Sequence, residues 1–422
     1  MTPVFCGIDF GTSNSTVALA DRETAWLMPV EASDTTVPSA VFWHSEGPPA
    51  LGRAAISAYV DGEDGRLMRG LKSTLGSSLI EERTSVGARS VSFKAVLVAF
   101  FRYLREKIDA GVGPLTRDGP LTKVVLGRPV HFVDDDPAAD LRAQVVLEEI
   151  AKSLGFREVA FQYEPIAAAL HYEQSVTAED LVLIVDVGGG TSDFSVVRVS
   201  PTRAKAPDRA GDILANAGIR VGGTDFDRVL SLAELMPHLG YLATTKHGAG
   251  IMPRHYFLDL ATWHRINALY TQRVASDLKA MLHEIDRPEL LHRLIRVTSQ
   301  RQGHALAMAV EAGKIALSDA EHVRLQVSAL TGGPNPMVQR AKFEEVIVPG
   351  LGRITATIAQ VIGDAGLTPD RIGTVFMTGG SSNLPALHAC VTAALPDARI
   401  ATGDMLGSVG TGLALDARRR FA

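Results

Sequence analysis

Twice in this chain a short apolar run delivers an aspartate straight into a Gly/Thr/Ser turn. The copies are Gly7-Ile8-Asp9-Phe10-Gly11-Thr12-Ser13-Asn14-Ser15 and Ile184-Val185-Asp186-Val187-Gly188-Gly189-Gly190-Thr191-Ser192-Asp193. Each reads as a strand (Val4 to Ile8; Leu181 to Val185) that ends on a carboxylate, and the glycines after it let backbone N–H groups approach a phosphate. Two such loops facing each other hold a nucleotide's phosphates from both sides, with two aspartates aimed at a metal between them. The commoner nucleotide signatures are absent: no Gly-x-x-x-x-Gly-Lys-Ser/Thr occurs, and no Gly-x-Gly-x-x-Gly follows a strand.

A chain of 422 residues is too long for one hydrophobic core and implies two or more domains. Its net charge of −5 and lack of a basic stripe argue against nucleic acid as a partner. No long uncharged apolar run is read, so no membrane span is expected, and the N-terminus enters a strand with no room for a signal peptide. Two cysteines, Cys6 and Cys390, are too few for a disulfide framework and read as small core residues, which suits a reducing cytoplasm. The cluster Arg418-Arg419-Arg420 falls in the last turn of an expected helix, where cations favour the dipole.

Strands and helices alternate through most of the sequence, as in α/β proteins with largely parallel sheets. Ser15 to Leu19 reads as a returning strand and Ser33 to Gly87 as a loop-rich inserted subdomain. Phe93 to Ile108 is an amphipathic helix, and Gly111 to Lys123 a linker. A strand from Lys123 is stopped by Pro129, and Asp134-Asp135-Asp136-Pro137 reads as a helix cap rather than a metal site. From Gly222 to about Glu345 the pattern is mostly helical. Eight of the twelve histidines lie between His238 and His322, too widely spaced for a zinc site. A strand returns at Thr374, Pro385 starts a helix, and a last helix runs from about Ser408 to Arg419.

These motifs resemble the nucleotide-binding domain of the Hsp70 chaperones, within the actin and sugar-kinase superfamily, and more narrowly its shorter bacterial YegD-type members. Ile8 to Ser13 is similar to that family's Ile-Asp-Leu-Gly-Thr-Thr turn, Asp186 to Asp193 to its second phosphate loop, and Glu164-Pro165-Ile166-Ala167-Ala168-Ala169-Leu170 to its connecting helix. Gly222 to Asp227, Glu311 to Ser318, Arg340 to Glu344 and Gly379 to Pro385 complete the likeness, in order. The resemblance implies an α/β, two-lobed actin-like ATPase fold built from duplicated ribonuclease-H-like domains with inserted subdomains. Lobe I is expected over 1–180, with an insert at about 33–92, and lobe II over 181–400, with a mostly helical insert at about 222–345. A C-terminal helix over 401–422 returns to lobe I.

The resemblance also implies roles. Gly11, Thr12, Ser13, Asn14 and Gly188, Gly189, Gly190 would cradle the β- and γ-phosphates of ATP or ADP. Asp9, Glu164 and Asp186 would hold Mg2+ mostly through its waters. Lys72 would steady the γ-phosphate or orient the attacking water, and Thr191 and Asp193 would polarise water or bind a monovalent cation such as K+. Gly379, Gly380 and Ser381 would approach the ribose and α-phosphate. Gly222, Gly223, Glu311, Lys314, Ser318 and Asn383 fall at the adenosine side. The two arginines that usually sandwich adenine are replaced by Ile315 and Asn383, which weakens adenine binding. No peptide-binding domain is expected after the last helix. The implied function is a slow Mg-dependent ATPase and nucleotide-controlled switch with a protein partner of unknown identity. An actin-like filament or docking protein and a small-molecule kinase are the alternatives.

Overall fold

The duplication seen in the sequence returns as a duplicated strand order. In a computed structural model, residues 4–112, 121–133, 136–173, 176–206, 208–246, 250–402 and 407–422 are described. Residues 1–220, 355–382 and 391–422 form one compact unit; 221–354 and 383–390 form a second.

The first unit contains two large sheets. In one, Phe5–Phe10 lies between antiparallel Asn14–Ala20 and parallel Lys123–Arg128; Ala25–Leu27 and Glu158–Tyr163 extend it on either side. In the other, Asp180–Val187 lies between antiparallel Ser192–Val199 and parallel Thr374–Thr378, flanked by Ile213–Ile219 and Arg399–Thr402. Numbered within each half, both sheets run 3-2-1-4-5. The fold is therefore the duplicated, actin-type α/β arrangement expected from the sequence.

Alternation along the first strand explains its two-sided burial. Cys6, Ile8 and Phe10 join a core with the helices Phe93–Val112 and Pro137–Ser153, while Phe5 faces a second core shared by both sheets. That second core also holds Ile166 to Leu170 of the helix Glu164–Glu173 and Val409, Leu413, Ala414 and Ala417 of the helix Ser408–Phe421. Glycines bring backbones close together at two points where these elements meet. A Cβ at Gly7 would collide with the backbone at Ala414, and one at Gly412 with the backbone of Ala167.

Local signals behave as their chemistry predicts. The strand from Lys123 stops before Pro129, and Asp136 caps the next helix by accepting from Ala139 N at 2.9 Å; Asp134 and Asp135 lie outside the described residues, as does most of the Gly111–Lys123 linker. The C-terminal arginines act as tethers as well as dipole partners. Arg418 donates to the carbonyls of Asp21 and Arg22, Arg419 to those of Ala204 and Ala206, and Arg419 and Arg420 both grip buried Asp416. Cys6 is buried, its thiol pushed up to about 12 by desolvation, and Cys390 is partly buried.

The second unit is mainly helical, including Gly223–Leu230, Arg254–Leu260, Gln272–Met281, Pro288–Ser299 and Gly303–Ala316. The helix Arg340–Asp364, whose residues from 355 on belong to the first unit, is long and apolar enough to cross a membrane by length and composition, contrary to the expectation that no such run occurs. Phe343, Ile347, Leu351, Ile354, Ile358 and Val361 form a buried stripe along it, the spacing of a helix packed on a protein core.

Candidate functional site

Both Asp-Gly turns, and the residues they gather, lie in the first unit. The first strand ends by delivering Asp9 opposite Thr16, and the turn that follows is held from behind. Ser39 donates its hydroxyl to Gly11 O at 2.7 Å and its backbone N–H to Ser13 O at 2.8 Å, and Ser15 Oγ meets Ser39 Oγ at 2.8 Å. Ser15 and Ser39 are fully buried, and nothing in the sequence marks them beyond being small polar residues in apolar surroundings.

The second turn closes through Gly188 N to Thr191 O at 2.9 Å, and it touches the first. A Cβ at Gly189 would lie 2.5 Å from Ser13 Oγ, so the two loops meet there and a larger residue would require Ser13 to shift. Asp186 sits beside Asp193 on one neighbouring strand and Thr378 on the other. Gly379, at φ +88°, then folds directly against the Asp186 carboxylate, while Ser381 donates its N–H to Val187 O at 3.1 Å. Thr191 Oγ1 lies 3.5 Å from Asp193 Oδ2, and both residues are exposed.

Lys72 enters from a different part of the chain. Gly70, at φ 64°, starts the short helix Leu71–Thr74; Leu71 is buried and anchors it, which leaves Lys72 directed at Glu164. The Lys72 Nζ–Glu164 Oε1 distance is 2.5 Å, with the two side chains 11% and 17% exposed. Glu164 opens its helix, and its Cγ would be 3.3 Å from a Cβ at Gly127, so the glycine clears its path.

The electrostatics of this group are unbalanced. Asp9 is pushed up to about 7 by burial and then by Glu164, with Lys72 opposing. Asp186 is pushed up to about 7 by burial, then by Asp193, Glu164 and Asp9, again with Lys72 opposing. Burial works against the Lys72 ammonium, but Glu164, Asp9 and Asp193 outweigh it and hold its pKa above that of an ordinary lysine. Four carboxylates and one ammonium form a site that gains from a further cation. Among the described residues, no three His, Cys, Asp or Glu side chains converge closely enough to ligate an ion directly. The excess of carboxylates over ammonium is chemistry that would suit a hard cation such as Mg2+.

Gly222, Gly223, Glu311, Lys314, Ser318 and Asn383 lie in the second unit. Gly222 N donates to Asp225 Oδ2 at 3.0 Å, capping the helix Gly223–Leu230. Glu311, Ile315 and Asn383 are exposed, and Ser318 lies just past the helix Gly303–Ala316. Lys314 is turned inward instead: its Nζ is 3.1 Å from Gly223 O and 2.8 Å from Asp227 Oδ1. Burial drives Asp227 up to about 6, offset by Lys314. The three helix positions Glu311, Lys314 and Ser318 are therefore presented quite differently, because Asp227 on the neighbouring helix captures the lysine.

Comparison with known proteins bears on the fold. A family profile described as Hsp70 protein matches residues 291–407, and one described as MreB/Mbl protein matches 123–232. Over 406 residues the chain is 25% identical to the Chaperone protein HscA homolog of Methylibium petroleiphilum, covering 92% of this chain and 53% of that protein. The chain is similar to Hsp70-family proteins, and its fold is of the actin type. This Hsp70-like chain spans about half the length of the curated relative it matches.

Proposed function

We propose that the chain binds ATP with Mg2+, hydrolyses it slowly to ADP and phosphate, and serves as a nucleotide-controlled conformational switch read by a protein partner. The observation that carries this reading is the contact of two like turns at Ser13 and Gly189 beside the Lys72–Glu164 pair and the raised carboxyls of Asp9 and Asp186. Phosphoryl transfer asks little covalent chemistry of a protein, so positioning and charge neutralisation suffice. Thr12, Ser13 and the N–H groups of Gly188 to Gly190 bind the phosphates. Asp9, Glu164 and Asp186 hold the waters of the magnesium ion, which when bound neutralises charge on the phosphate oxygens. Lys72 leaves Glu164 for the γ-phosphate as negative charge develops there, and Asp193, next to Thr191, orients the attacking water.

Calorimetry with ATP in Mg2+ and in EDTA, followed by single-turnover hydrolysis, tests the proposal. Magnesium-dependent ATP binding and slow phosphate release are expected; ATP binding that is absent or indifferent to Mg2+ overturns it. A second reading, that of an actin-like nucleotide-gated filament or docking protein, rests on the actin-type fold. ATP-dependent pelleting would establish that reading in place of the solitary switch.

A further inference from the structure

The site just described depends on where Glu164 points, and the residues behind it explain how that is fixed. The strand Lys123–Arg128 ends in Gly127-Arg128, directly before Pro129. Gly127 lies under the Glu164 side chain: a Cβ there would be 3.3 Å from Cγ and 3.5 Å from Oε1. Arg128, the next residue, pairs in register with Tyr163, the residue immediately before Glu164.

The Arg128 guanidinium is engaged on every edge and over its faces. Nη1 donates to Gln144 Oε1 at 2.5 Å, and Nη2 to Asp140 Oδ2 at 2.6 Å and Val130 O at 3.2 Å; Nε donates to Pro129 O at 3.2 Å. Its carbon centre lies 5.1 Å from the centroid of the Tyr163 ring and 5.4 Å from that of Phe132. Asp140 also accepts from Phe132 N at 2.6 Å, so the loop after the strand and the helix Pro137–Ser153 are tied to the same cation. Only 12% of the side chain is exposed. A lysine could keep the charge opposite Asp140, but it has neither the fork that reaches four oxygens nor the planar face that stacks on Tyr163.

We infer that Arg128 is a positioning residue: by clamping Tyr163 and the end of its own strand it fixes the start of the Glu164 helix, and with it the reach of Glu164 to Lys72 and to the waters of a bound magnesium ion. The inference rests on the proposed nucleotide site and adds to it a residue that touches neither nucleotide nor metal. Outer-shell groups of this kind change metal affinity by about 10- to 100-fold when removed.

The experiment compares Arg128→Met and Arg128→Lys with the unmodified protein in two measurements. The first is the ratio of ATP affinity in Mg2+ to that in EDTA. Both variants should lower this ratio by about tenfold while changing the affinity in EDTA by less than about twofold. In a Glu164→Gln background Arg128→Met should cause no further fall. The second uses nucleotide-free, metal-free protein: the coupling of Lys72 and Glu164 in unfolding, measured by a double-mutant cycle, should drop by at least about half in the Arg128→Lys background. Equal losses in Mg2+ and EDTA, or a loss undiminished by Glu164→Gln, would overturn the inference. An ATP affinity indifferent to Mg2+ in the unmodified protein would instead defeat the nucleotide reading, and the metal-free cycle still decides the role of Arg128.

Discussion

Substituting Asp186 by Asn should make the nucleotide-free protein more stable at neutral pH and flatten the pH dependence of its stability. In the fold Asp186 rises from 3.8 to about 7, chiefly through burial and then through Asp193. A carboxyl raised in this way binds its proton more tightly folded than unfolded. Its contribution is neutral below about pH 4, turns destabilising as pH climbs, and is complete above about pH 7. A shift of about three units at about 1.4 kcal/mol each gives an upper bound of about 4 kcal/mol. Coupling to Asp9 and partial exposure reduce this to about 2 kcal/mol at pH 7.5, and asparagine, which carries no charge to bury, should recover that amount. Urea unfolding in EDTA from pH 5 to pH 8, followed through Trp26 and Trp43 of the same unit, measures the difference. The unmodified protein should lose stability relative to Asp186→Asn as pH rises; parallel curves, or a variant weaker throughout, would refute the electrostatic argument. Magnesium with ATP should reverse the order, since the ionised form is then the useful one.

Lys72→Ala should slow single-turnover ATP hydrolysis by about a hundredfold or more while leaving ATP affinity within about tenfold, the mark of an interaction that strengthens in the transition state. An unchanged hydrolysis rate would remove Lys72 from the chemistry. The pair Ile315→Arg and Asn383→Arg should tighten ADP binding by about 1 to 2 kcal/mol in calorimetry if the second unit holds adenine on faces that lack a cation. No change would show that other contacts hold the base. Gly412→Ala places a methyl against the Ala167 backbone and should cost about 3 kcal/mol or more in urea unfolding, with Gly363→Ala, where a Cβ meets open space, as its mild control.

The sequence made the two turns legible because everything they need is local: an apolar run, an aspartate and small residues, in order, twice. The strand order itself comes from the structure, which repeats it in the two sheets. Less visible was whatever depends on distant partners. Lys72 was reached by resemblance, yet its pairing with a residue 92 positions on is a fact of packing. Lys314 shows the converse, since helical spacing put it with Glu311 and Ser318, and Asp227 on another helix turned it inward. Ser39 escaped notice because a buried serine leaves no periodic trace. Gly127 did leave one, a glycine closing an apolar strand just before Arg-Pro, but its meaning needs Glu164 above it. The run Arg340–Asp364 does not stand out in the sequence because Arg340, Lys342, Glu344, Glu345 and Arg353 break its apolar pattern.

The bare contacts at Gly7 and Gly412 set how this unit can deform. Where side chains separate two elements, small shifts are absorbed by rotamer changes, much as rubber mounts absorb vibration. At Gly7 and Gly412 the strand Phe5–Phe10, the helix Ser408–Phe421 and the helix Glu164–Glu173 have little such cushion. At those two points a shift of the strand that carries Asp9, or of the helix that carries Glu164, has little room to be absorbed, as between meshed gears.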